Sequence, residues 1–227
     1  FDASLFSVTP AAAVEMDPQQ RLLLEVGHQA LSGSGYDRSH LMGSRIGVFL
    51  GAERPDWSFV RAAHPKQESV FAVTADTMSV AAGRVSFVFG LHGPCMSVDA
   101  ACAAGLVAKH CAVRAQANNE CAAALVSSAT LKLWPRTTFG VAAAGMISPQ
   151  GRCKTFDARA NGFVRAEAVV SVVLASDPRY GGDVARGSAV MQDGRSASLT
   201  APNGSAQRML LHAASTVSGA QPTQIRA

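Results

Sequence analysis

Apolar residues recur at Leu22, Leu23, Val26, Ala30 and Leu31 within PQQRLLLEVGHQAL. Residues three and four apart share one helical face, so this spacing predicts an amphipathic helix over Pro18–Leu31. Asp17 is its predicted N-cap, Pro18 its first residue, and Gly33 and Gly35 close it. The run RIGVFLG, Arg45–Gly51, is instead apolar almost throughout and lies between glycines, which predicts a buried strand. Pro55–Lys66 reads as a loop and Ser69–Gly83 as helix-compatible, with Gly90, Gly93 and Pro94 marking a turn. Met96–Ala100 reads as a strand, and Ala103–Gln116 as a helix with Leu106, Val107, His110 and Cys111 on one side. Glu120–Ala129 predicts a second buried strand, Glu167–Ala175 a further strong one, and Asp183–Asp193 another after them. Phe139–Gly151 reads as irregular and Gln207–Thr216 as a helix. Apolar strands alternating with helices predict an α/β fold whose sheet is covered on both faces.

Composition narrows the classes. Of 227 residues, 48% are apolar and 16% charged, against about 25% charged in ordinary globular chains. Such a chain has ample material to bury, which excludes disorder as its overall state. The longest apolar run, around Ala168–Ala175, is interrupted by Ser171 and falls short of the roughly 20 residues a membrane helix needs. No basic-then-apolar leader is visible, so neither a membrane partner nor a secretory signal is expected. The net charge of +4 comes from 20 scattered Lys and Arg, with only two Trp and two Tyr. Clustered charge and stacking rings, the marks of a nucleic-acid face, are missing. The five cysteines, Cys95, Cys102, Cys111, Cys121 and Cys153, form no CxxC pair, so neither a zinc knuckle nor a redox motif is expected. An odd cysteine count fits a reducing, cytoplasmic setting in which most thiols act as small buried hydrophobes. With no Met at position 1 and an end just after a predicted helix, residues 1–227 are expected to be one continuous, partial piece.

Cys102 carries the candidate chemistry. It falls between a predicted strand and a predicted helix, the setting of a nucleophile elbow. First-turn amides there favour a thiolate and receive the oxyanion formed when a thioester carbonyl is attacked. Ala100, Ala101, Ala103, Ala104 and Gly105 are small, which leaves room for a substrate. A free cysteine is only about 3% ionised at neutral pH, and bringing it to about 75% takes roughly 2.7 kcal/mol. A helix terminus supplies at most about 2 kcal/mol. A second group, normally a histidine, is therefore required.

VDAACAAGLVA around Cys102 resembles the active-site signature of the β-ketoacyl synthases, the condensing enzymes of fatty-acid and polyketide synthesis. The surrounding runs agree in order: Met16–Arg21 (MDPQQR), Gly47–Gly51 (GVFLG), Ala82–Ser86 (AGRVS) and Gly90–Pro94 (GLHGP) before it. After it come Ser148–Asp157 (SPQGRCKTFD), Gly187–Gly194 (GSAVMQDG) and Leu199–Gly204 (LTAPNG). The resemblance covers nearly the whole chain and is greatest to ketosynthase domains of modular polyketide synthases.

The resemblance implies a thiolase-like, layered αβαβα fold, of which this chain holds mostly the N-terminal half. It implies Cys102 as the acyl-accepting nucleophile of a decarboxylative Claisen condensation, with substrates carried on the phosphopantetheine of an acyl carrier protein. No metal and no directly bound cofactor are implied, and a homodimer is the usual assembly. Phe139, Met146 and Ile147 match the region lining the acyl pocket, where simple core packing is the competing role. The family's catalytic histidines belong to motifs that would follow Ala227, so His28, His40, His64, His92, His110 and His212 are given no catalytic role. The fragment alone is expected to be inactive and poorly soluble. Three departures stand out. Arg165-Ala166-Glu167-Ala168 replaces the common Arg-Gly-Glu-Gly, which raises the question of backbone strain. Ala103 and Ala104 replace the usual hydroxyl residues, and Leu133-Trp134-Pro135 adds bulk that narrows a wall or simply sits in an exposed loop. A decayed, non-catalytic dimer partner or scaffold is the alternative these departures motivate. Arg84, Arg152 and Lys154 are expected to form structural contacts rather than a carrier-protein docking surface.

Overall fold

A computed structural model describes residues 1–64, 69–176 and 182–224. The chain divides into two compact units, Phe1–Ser176 and Asp177–Ala227. The first runs α1 (Pro10–Glu15), α2 (Pro18–Gly33), α3 (Arg38–Leu41), β1 (Ile46–Ala52), α4 (Trp57–Ala63), α5 (Ala72–Ala75) and α6 (Met78–Phe89). It continues with β2 (Cys95–Val98), a 3-10 turn (Ala101–Ala103), α7 (Ala104–Ala117), β3 (Ala123–Thr130), α8 (Pro135–Ala143) and β4 (Ala168–Ala175). The strands form one sheet in the order β2-β1-β3-β4. β1 pairs in parallel with β2 and β3, and β4 closes the edge antiparallel to β3 with Thr130 opposite Ala168.

Both faces of the central strands β1 and β3 are covered, as their apolar residues require. The edge strand β4 leaves Val170 and Val172 exposed, contrary to the expectation of a sheet covered throughout. On one face Leu23, Leu24 and Leu31 of α2 and Ala82, Val85 and Phe89 of α6 pack on Ile46, Val48 and Leu50 of β1 and Leu125 of β3. Each such side chain contributes about 1.5–3 kcal/mol when fully buried. On the other face Phe49, Ala124 and Val126 meet Ala108, Ala112 and Ala115 of α7. The buried face of α7 is thus an alanine stripe, and Leu106, expected on the apolar side, is 73% exposed. Alanines let the helix lie close on the sheet, so larger residues fall outside.

The predicted start of α2 holds: the Asp17 carboxylate accepts from the Gln19 backbone N–H at 2.7 Å and from its Nε2 at 3.1 Å, with Pro18 first in the helix. Burial pushes the Asp17 carboxyl above its usual range, against those two hydrogen bonds. Gln20 Oε1 accepts from Arg84 Nε at 2.8 Å, and both side chains donate to the Thr74 carbonyl. The MDPQQR and AGRVS runs are therefore tied together, and Arg84 has the structural role expected of it.

Four expectations need correction. The loop expected over 55–66 contains helix α4, fixed from afar by Trp57 Nε1 donating to the Glu15 carbonyl at 2.8 Å and by Arg61 between Glu15 and Asp76; positions 65 and 66 lie outside the described residues. The irregular stretch expected over 139–151 is helical up to Ala143. No strand forms over 183–193: the second unit, described by itself, holds α9 (Gly204–Ser218) and a 3-10 turn (Pro222–Gln224), and among its described residues no strand exists to pair with that segment. Most cysteines are not buried: Cys95, Cys102 and Cys153 are exposed, Cys111 is half-buried, and only Cys121 is enclosed. Burial pushes the Cys121 thiol up.

Candidate active site

Cys102 lies at the end of the sheet where the parallel strands finish. After β2 the Asp99 carboxylate accepts from the Ala101 N–H at 3.0 Å, and Ala101 adopts a left-handed φ of 49°. For a residue with a β-carbon that conformation costs of order 1–2 kcal/mol. It makes the chain turn sharply enough to hold Cys102 outward, exposed, one residue before the N-cap of α7. That N-cap is Ala103, which offers no side-chain acceptor. The Ala103 and Ala104 N–H groups donate to the carbonyls of Ala100 and Ala101, so this turn is closed by its own backbone rather than by a side-chain cap.

Close backbone contact fixes this turn to the sheet. A β-carbon on Gly51, at the end of β1, would lie 2.4 Å from the carbonyl carbon and oxygen of Ala104 and from the Gly105 nitrogen. A β-carbon on Gly105 would meet Ser128 Oγ at 3.1 Å, and that hydroxyl donates to the Gly51 carbonyl at 2.9 Å. Ala104 is buried. Ala104 and Gly105, expected to make room for substrate, instead let α7 seat on β1 and β3.

The connection from 131 to 167 leaves β3 and returns to β4 at this same end. Three side chains hold its first residues, two from elsewhere and one from its own far end: Gln19 Oε1 accepts from the Leu131 N–H at 3.2 Å, Asp56 from the Trp134 N–H at 3.0 Å, and Glu167 from the Lys132 N–H at 2.8 Å. The Lys132 ammonium contacts Glu53, to which Thr130 Oγ1 also donates at 3.1 Å. Burial pushes the Glu53 carboxyl up, but the Lys132 hydrogen bond and charge, the Thr130 hydroxyl and the nearby Arg165 guanidinium outweigh it and hold the carboxyl below its usual range. A group depressed in the folded state contributes stability that is present above the ordinary glutamate range and lost as pH falls through the folded value. Acidification below about pH 4 is expected to loosen the 131–134 segment, and Glu53→Gln to remove that pH dependence, as read by amide exchange from pH 6 down to 3. An unchanged pH profile in Glu53→Gln would contradict this.

The other candidate residues sit in this connection, at the same end of the sheet as Cys102. Phe139 is on α8 and 66% exposed; Met146 is 40% exposed. Ile147 is half-buried and bridges to Phe163, whose N–H donates to the Met146 carbonyl at 3.0 Å. With Phe139 and Met146 open to solvent, these three do not by themselves close a pocket. Trp134 is half-buried and lines a groove with Phe59, Ala62, Ala63, Arg136 and Thr137, so it is not an exposed loop residue. Lys154 Nζ bonds Gln150 Oε1 at 2.8 Å and Asn161 Oδ1 at 3.2 Å, a structural role; Arg152 is exposed. His28 packs between Phe6 and Phe89, and His40 bonds Asp37, away from the cysteine's turn. Asp56 escaped the sequence reading, as did the contacts of Arg165 with Thr138 and Glu53, because nothing local links positions so far apart. Among the described residues no group of three or more His, Cys, Asp or Glu is placed to hold a metal ion, and no helix is long and apolar enough to cross a membrane.

Residues 1–179 match the family model described as Beta-ketoacyl synthase, N-terminal domain. Over 213 residues the chain is 43% identical to one of the polypeptides of the phenolphthiocerol/phthiocerol polyketide synthase of Mycobacterium tuberculosis, covering 91% of this chain and 14% of that protein. It is 41% identical to another polypeptide of the same synthase, covering 96% and 10%. Among solved structures it is similar to the ketosynthase from module 6 of the bacillaene synthase of Bacillus subtilis 168, with a TM-score of 0.81 at 32% identity over 96% of this chain and 38% of the other. The oxazolomycin ketosynthase domain OzmH KS7 of Streptomyces albus JA3453 gives 0.90 at 29% identity, over 99% and 40%. The likeness makes the fold thiolase-like. The chain spans about one seventh of the first of these relatives and two fifths of the ketosynthase structures.

Proposed function

The chain belongs to the β-ketoacyl synthase family, and from that premise we propose that residues 1–227 supply the nucleophile-bearing part of a ketosynthase domain in polyketide biosynthesis. The observation that carries this reading is Cys102, exposed on a strained turn between β2 and the uncapped start of α7. The Cys102 thiolate attacks the carbonyl of an acyl thioester borne on a carrier protein's phosphopantetheine. The oxyanion is held by backbone N–H donors beside Cys102, one such donor being worth about 10²–10³ in rate. The pantetheine sulfur leaves and takes up the cysteine's proton. A malonyl-type thioester then loses CO2, and the resulting carbanion attacks the acyl-Cys102 carbonyl, giving a β-ketoacyl thioester and freeing the thiolate. Bond for bond this closes without an oxidant or reductant. Phe139, Met146 and Ile147 are assigned to the acyl pocket, which other parts of the domain must complete.

The base that the thiol requires is assigned to histidines outside these residues, in a homodimeric, cytoplasmic synthase served by an acyl carrier protein. The alternative of a decayed scaffold rests on two motives, the absence of the catalytic histidines from these residues and the alanines at 166 and 168, and the second falls away. Neither Ala166 nor Ala168 has a positive φ, so replacing the family's glycines with alanines strains nothing here.

The test is condensation by the complete synthase that carries this chain, given an acyl thioester and a malonyl carrier protein. One CO2 and one β-ketoacyl thioester per turnover are expected, and both stop when Cys102 is alkylated. Release of free acid without CO2 would overturn the assignment.

A further inference from the structure

Helix α8 begins without a cap of its own. Its N-cap residue is Trp134, whose side chain makes no capping hydrogen bond, and Pro135 follows. The Asp56 carboxylate fills this place from 78 residues away. It accepts from the Trp134 N–H at 3.0 Å, and the same oxygen lies 3.3 Å from the Thr137 hydroxyl, whose one proton it shares with the Trp134 carbonyl at 2.8 Å. Asp56 is itself the N-cap residue of α4, yet its side chain makes no cap bond there. It is only 6% exposed. A buried acid that leaves its own helix uncapped and turns to another places its negative charge where the α8 dipole favours it.

A second group grips the same turn. Arg165 Nη1 donates to Thr138 Oγ1 at 3.2 Å, while its other terminal nitrogen lies 3.8 Å from Glu53. Two residues on, Glu167 holds the Lys132 N–H. The Arg165-Ala166-Glu167-Ala168 segment is thus an anchor of the 131–138 stretch: Arg165 is half-buried against Thr138 and Glu53, and Glu167, though exposed, holds the Lys132 N–H.

We propose that Asp56, acting as a cap in trans on α8 and seconded by Arg165, is a positioning residue that sets where Phe139 stands and so which acyl chains Cys102 accepts. This rests on the assignment of Cys102 and Phe139 in the preceding section. Asp56 touches neither the acyl group nor the thiol; it acts through the helix. A residue that merely supports the fold would lower turnover of every acyl donor alike. A positioning residue shifts the balance between donors that reach Phe139 and donors that do not.

The experiment uses the complete synthase, with Asp56→Asn, Asp56→Ala and the near-isosteric Thr137→Val. Two readouts are taken: amide exchange over residues 138–143 against 108–117, and acylation of Cys102 by acetyl, hexanoyl and decanoyl thioesters of N-acetylcysteamine. Exchange in α8 is expected to rise at least 10-fold in Asp56→Ala and less in Thr137→Val, with α7 unchanged. The decanoyl-to-acetyl ratio of kcat/KM is expected to change at least 5-fold in the same direction in both, chiefly through KM, with acetyl transfer within 2-fold of wild type. Asp56→Asn, which keeps an acceptor oxygen, is expected to recover most of both effects. Unchanged exchange in α8 overturns the cap. Changed exchange with a constant ratio, or an equal fall for all three donors, overturns the role in selectivity. Wild-type protein that takes no acyl group refutes the reading of Cys102 and the selectivity with it, and the exchange result then decides the cap alone.

Discussion

Cys102→Ala in the complete synthase is expected to abolish acyl-enzyme formation, lowering condensation by at least about 10³-fold, since loss of a covalent nucleophile elsewhere costs up to about 10⁶. Stability should hardly change. The side chain is exposed, its sequence neighbours are alanines, and none of the core clusters includes it. Surface replacements of that kind stay within about 0.5 kcal/mol. An unchanged melting temperature with lost turnover separates a chemical role from a structural one. Conversely, Cys102→Ala protein that condenses at more than about a tenth of the wild-type rate would move the nucleophile elsewhere.

Gly51→Ala is the second large effect, and it works through packing. The added methyl would sit 2.4 Å from the Ala104 carbonyl and the Gly105 nitrogen, which are main-chain atoms with no rotamer to escape into. Either β1 or the start of α7 must move. Overpacking of a rigid contact costs about 1–3 kcal/mol and sometimes more, and the upper end is expected here. A 1 Å displacement of a reacting group costs about 100-fold in rate, so acylation should fall by about that much in whatever protein still folds. Gly105→Ala is the milder comparison, because its methyl meets the Ser128 side chain at 3.1 Å, which has some freedom to turn. Thermal unfolding and acylation rates measured on both variants should rank Gly51→Ala well below Gly105→Ala. Equal behaviour would mean that the seat of α7 on β1 is softer than its contacts indicate.

How much of this was legible in the sequence follows from how local the determining contacts are. The start of α2 was readable because Asp17, Pro18 and the 3.6-residue spacing act within one turn. The strands around Val48 and Leu125 were readable because burial on both faces leaves little choice but apolar residues, whereas β4 around Val173 is as apolar but leaves Val170 and Val172 exposed. The turn at Cys102 was legible in kind, though Ala101 gives no hint of its left-handed backbone. What escaped depends on partners far along the chain. Helix α4 is held by Glu15 and Asp76, α8 is capped by Asp56, and the 131–134 segment is bound by Gln19, Glu53 and Glu167. The face of α7 misled because the residues that pack are its alanines, which hydrophobicity alone ranks below Leu106. The strand expected over 183–193 had the right residues and no neighbouring strand among the described residues of its own unit.

Exposure by itself would not single out Cys102, since Cys95 and Cys153 are exposed too. The most direct test therefore maps where an acyl group goes. The complete synthase is incubated with a short acyl thioester, digested without reducing agent, and the five cysteine-bearing sites of residues 1–227 are analysed by mass spectrometry. The account predicts one acyl group per chain, on the peptide containing Cys102, with Cys95 and Cys153 unmodified. Acylation spread over the exposed cysteines, or confined to any residue other than Cys102, would contradict it.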